Sequence, residues 1–77
     1  MHRIYFDTNE GIDGAYGLWL DASKRDIARI PNGPEHGMRV IIYMTGELEM
    51  EATLAFEPIQ KAWIALPIPG TIKFLER

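Results

Sequence analysis

The chain has 77 residues, a formal net charge of −3 and no cysteine, which leaves room for one small domain over residues 1–77 with a modest core and neither a disulfide nor a thiolate zinc site. Its eight basic residues are scattered, so a face that neutralises several phosphates is not expected and nucleic acid is a disfavoured partner. No apolar run approaches a membrane span, and MHRIYFDTNE carries charge where a signal peptide would be apolar; a complete, cytoplasmic chain that avoids membranes is expected.

In chain order, RIYF reads as a strand, and YGLWL as its hairpin partner across the turn-rich DTNEGIDG. In DASKRDIARIPNGPEHG, Ser23 followed by Asp26 has the spacing of a capping box, which predicts one short helix over Lys24–Arg29. Pro31, Asn32, Gly33 and Pro34 then enforce an irregular loop. GMRVIIYM is β-branched and aromatic, a strand over Met38–Met44, closed by a turn at Thr45-Gly46.

ELEMEATLAFE is contested, because Glu, Leu, Met and Ala favour helices while the apolar residues occupy every second position. On a helix, Leu48, Met50, Ala52, Leu54 and Phe56 would wrap more than half the cylinder; on a strand they share one face. Unbroken alternation outweighs propensity, and a strand is predicted. A three-residue loop that pairs Met44 with Leu48 keeps Val40, Ile42 and Met44 with the apolar side and sends Arg39, Ile41 and Tyr43 to the Glu side. EPIQK is a proline-marked loop, AWIALPIP a strand over Ala62–Leu66, and TIKFLE a short closing strand.

Six short strands, one helical turn and frequent Gly and Pro suggest an all-β fold, a small barrel of five to six antiparallel strands whose closure hides its edges. The segment Gly37–Glu76, GMRVIIYMTGELEMEATLAFEPIQKAWIALPIPGTIKFLE, resembles the core of an SH3-like barrel: a strand after Gly, a three-strand meander, a Pro-marked turn and a short last strand. The aromatic segment and paired Trp of peptide-binding SH3 domains are absent, so that resemblance implies a fold and transfers no binding residue.

No catalytic, metal or cofactor site is expected. Successive same-face strand residues lie about 6.5–7 Å apart, so Glu47, Glu49 and Glu51 do not chelate one ion and read as a solvated face. Asp7, Asn9, Glu10 and Asp13 begin like a calcium loop, but Ile12 stands at its glycine position and Leu18 at its bidentate carboxylate. His36 lies in a loop beside Glu35 without a second loop histidine. Ser23 lacks a nucleophile-elbow context. Gly11, Gly14 and Gly17 lack the strand-to-helix setting of a phosphate loop.

The aromatic residues carry more. With Phe56 opposite Ala62, Trp63 joins Arg39, Ile41, Tyr43, Glu49 and Glu51 on the outer sheet face, a composition suited to a protein partner. A shift of one residue puts Trp63 in the core beside Leu54, the commoner place for a bulky ring. The expectation is a non-catalytic binding or accessory module for protein. The alternatives are a nucleic-acid- or ribosome-associated barrel using Lys24, Arg25 and Arg29, with Arg39 as a further candidate, and a structural homodimer subunit.

Overall fold

A computed structural model describes residues 1–75. Alternation prevails over helix propensity: β5 (Leu48–Glu57) is a ten-residue strand whose Met50, Ala52 and Leu54 point into the core. β4 (Arg39–Met44) pairs with its first half, Met44 opposite Leu48, Ile42 opposite Met50 and Val40 opposite Ala52. This is the register that keeps the apolar sets together, and it needs the three-residue loop Thr45–Glu47. Gly46 takes φ +73° there, and the Glu47 N–H donates to the Met44 carbonyl at 3.0 Å.

β6 (Ala62–Pro67) pairs with the second half of β5, Phe56 opposite Trp63 and Leu54 opposite Ala65. This is one residue away from the pairing of Phe56 with Ala62, so Trp63 lies on the core side, partly buried against the cluster. Beyond β6, the Thr71 hydroxyl takes the place of a strand: it accepts the Glu51 N–H at 3.0 Å and donates to the Ile68 carbonyl at 2.7 Å. β7 (Lys73–Phe74) then resumes the ladder opposite Glu49 and Leu48. Glu76, the last residue of the expected closing strand, lies outside the described residues.

The N-terminal pairing differs from expectation. β1 (Arg3–Tyr5) makes no hairpin with YGLWL; it lies parallel to β4, Arg3 beside Ile41 and Tyr5 beside Tyr43. β2 (Gly11–Ile12) turns into β3 (Ala15–Gly17) through Asp13-Gly14, both at positive φ (46° and 80°), the two-residue turn that suits hairpin twist. β3 then docks on β6. The sheet runs β1-β4-β5-β6-β3-β2 with β7 beside β5, so it is mixed and open rather than the expected closed antiparallel barrel. It nevertheless curls, because Phe6 after β1 meets Tyr16 of β3 with ring centroids 4.9 Å apart.

What stands at the β1 edge is a helix. α1 (Asp21–Ala28) is too short to be stable alone, and Ser23, Asp26, Ile27 and Ile30 fall on one side of it at i, i+3, i+4 and i+7. Ile30 is core and Ile27 packs against it. Ser23 is wholly buried, and its Oγ donates to the Tyr5 carbonyl at 2.5 Å. Asp26 Oδ2 accepts the Tyr5 N–H at 2.8 Å. The Ser-x-x-Asp spacing is therefore a clamp on the free edge of β1, not a capping box; Leu20 occupies the cap position without a side-chain cap.

Around this frame the core gathers Ile4, Phe6, Leu18, Val40, Ile42 and Leu54. Outside it, the six-membered ring of Trp19 fills the space a Cβ on Gly17 would need, its carbons 2.1 Å from that position. Trp19 Nε1 donates to Glu10 at 2.9 Å.

Two substitutions test this frame. Asp26→Ala strands the Tyr5 N–H, and a loss of about 2–3 kcal/mol is expected, against about 1 kcal/mol for Ser23→Ala, read as lower urea midpoints at unchanged slope. Gly17→Ala must displace the Trp19 ring, and Trp emission is expected to shift to the red as the Glu10 bond is lost.

Candidate functional site

The outer face of the sheet carries the odd-numbered side chains of β4 and β5. Three rows cross it: Tyr5, Tyr43, Glu49 and Lys73; Arg3, Ile41 and Glu51; Arg39, Thr53 and Leu66. Charge is paired diagonally between rows. Arg3 reaches across β4, its guanidinium 4.9 Å from the centre of the Tyr43 ring, and places Nη1 2.6 Å from Glu49. Arg39 meets Glu51 with both Nε and Nη2 at 2.9 Å. The two guanidinium side chains stay 51% and 57% exposed. Between the pairs lies a recess of 170 Å³ lined by Ile41, Glu49, Met50, Glu51, Thr71 and Lys73.

Tyr43 anchors this half of the face. Its ring stands edge-on to Tyr5 at 5.9 Å, and its hydroxyl donates to Asp26 Oδ2 at 2.9 Å. Burial, then the Asp26 hydrogen bond and the Asp26 charge, raise its pKa above the ordinary 10.0, opposed by the charges of Arg3 and Arg29. One carboxylate thus ties the helix, the edge strand and the outer face together.

Of the residues expected to share a protein-binding surface, Arg39, Ile41, Tyr43, Glu49 and Glu51 lie together on the outer face of the sheet. Trp63 does not: the one-residue shift of the β5–β6 hairpin turns it to the other side, where its ring meets Phe56 at 5.5 Å. Lys24 and Arg25 sit exposed on α1 and Arg29 is exposed at its C-cap. Asp21 lies on the same helix, and Asp26 is 3.8 Å from Arg29. Glu10 of the calcium-like loop is held by Trp19, and Asp7 accepts the Asn9 N–H at 2.8 Å at the start of a 3-10 turn over Thr8–Glu10. His36 is an exposed loop residue.

Comparison of the chain with protein-family models, with curated proteins and with solved structures gives no match. Among the described residues no group of three His, Cys, Asp or Glu is placed to hold a metal ion, and no helix is long and apolar enough to cross a membrane.

The sequence reading missed the other half of the same face. Ile64 and Leu66 of β6 also point outward, beside Ala15 and Ile12 of the β2–β3 hairpin. The signal was AWIALP itself: a strand apolar at both parities sets apolar side chains on the outer face whichever register it takes.

The sign of the Tyr43 shift is testable. A phenol whose pKa is raised on folding adds stability that is full below its unfolded value, near pH 10, and is lost as pH rises through the folded value. Ultraviolet titration is expected to show the Tyr43 phenol ionising late. Tyr43→Phe removes that step, and Asp26→Asn moves it back toward 10 only in part, since burial remains.

Proposed function

We propose that this chain is a non-catalytic binding module that holds a protein partner on the outer face of its sheet. The observation that carries this reading is the recess over Ile41, framed by two Arg–Glu pairs that are already formed. Arg, Tyr and an aliphatic floor are the residue types on which interface energy concentrates. Cross-strand pairing holds the long Arg side chains in place before binding, which lowers the ordering cost of association. The β4–β5–β6 meander with its short β7 supports an SH3-like reading of the fold, left open between β1 and β2, and a cytoplasmic role fits the charge and the absence of cysteine.

The test is capture of a partner from the native cell, identification of it, and measurement of its affinity for variants. Arg39→Glu, at an exposed position, is expected to weaken binding at least about tenfold, equivalent to about 1.4 kcal/mol. Lys24→Glu with Arg25→Glu is expected to leave it unchanged. The reverse pattern, with an oligonucleotide whose binding falls steeply with salt, would replace the proposal by the nucleic-acid reading, and a doubled solution mass that persists on dilution would replace it by the homodimer.

A further inference from the structure

The apolar half of the outer face carries a second recess. Ile64, Leu66 and Ile12 form its floor, and the β5–β6 turn hangs Ile59 beside it, 86% exposed. Together with Ala15, Gln60, Asp13 and Glu57 they enclose a groove of 220 Å³. No cation lines it among the described residues. The turn that builds its wall is fixed by the Gln60 N–H donating to Glu57 Oε2 at 2.5 Å and by Lys61 at φ +53°.

We infer that this groove docks an apolar side chain of a partner polypeptide with Lys or Arg beside it, the aliphatic floor taking the side chain and the carboxylates of Asp13 and Glu57 taking the cation. Size supports a side chain: the groove is smaller than the roughly 300–1,000 Å³ of small-molecule sites. Charge selects the flank, because carboxylates at the rim of an apolar groove attract a cationic neighbour and repel an anionic one. Charge also argues against a second copy of this chain. A two-fold contact sets the same patch against itself and would bring the Asp13 and Glu57 carboxylates of both copies together.

The site is separate from the recess over Ile41, so the two readings stand or fall apart. The probes are a hexapeptide of alternating Leu and Lys and its counterpart of alternating Leu and Glu, each followed by amide chemical-shift mapping on the whole chain. The Leu/Lys peptide is expected to saturate with the largest shifts at Ile12, Ile64 and Leu66, and the Leu/Glu peptide to bind at least about tenfold more weakly. Leu66→Ser, at a position 42% exposed, is expected to abolish binding, whereas the charge-neutral Ile41→Ser, in the other recess, leaves it unchanged. Asp13→Asn with Glu57→Gln retains acceptor oxygens and is expected to erase the preference between the peptides. Equal binding of both peptides, shifts centred elsewhere or no saturation overturns the inference. So does a doubled mass with concentration-dependent shifts at Leu66 in the absence of peptide, which would give the groove to a second copy.

Discussion

Everything in this small sheet hangs on the two-sided character of β5. Its even-numbered Met50, Ala52 and Leu54 are committed to the core and its odd-numbered Glu49 and Glu51 to the outer face. Because strand side chains alternate without exception along a regular ladder, that one commitment sets the faces of β4 and β6, which pair with its two halves. The core and the charged outer face are therefore one decision seen from two sides. A register slip would bury carboxylates and expose Leu54 at the same stroke.

The second dependence is at the edge. An edge strand offers unpaired backbone groups to any passing chain, and β1 meets that exposure with side chains from α1. Ser23 takes the carbonyl of Tyr5 and Asp26 takes its N–H, groups that belong to two successive peptide units. The same Asp26 carboxylate receives the Tyr43 hydroxyl, so edge protection and the ordering of the outer face are one hydrogen-bond network. Such networks cost more to break than their pairwise bonds suggest.

How far the sequence could be read follows from the range of the interactions. The β4–β5 register was legible, since both strands alternate cleanly and the loop between them holds three residues with a glycine at the turn. So was the gathering of Arg39, Ile41, Tyr43, Glu49 and Glu51. Trp63 was not, because AWIALP is apolar at both parities and no pattern distinguishes one register from the next. The role of Ser23 was also hidden: a helix face of two polar and two apolar residues looks like a cap when the strand it binds is distant in sequence. Asp13-Gly14 did carry a local turn signal, but the parallel pairing of β1 with β4, which frees β3 for β6, leaves no trace in nearby residues.

That parallel pairing has a consequence for how the chain comes together. Hairpins such as β4–β5 and β5–β6 close short loops, whereas Arg3 must wait for Ile41, and distant pairings close at greater entropic cost. During synthesis the N-terminal segment emerges first, with Ile4 and Phe6 lacking the sheet that will cover them until β4 has followed. The first strand made thus waits for the fourth, β3 waits longer still, for β6, and α1, too short to hold its shape alone, closes over the β1 edge only once that strand is in place.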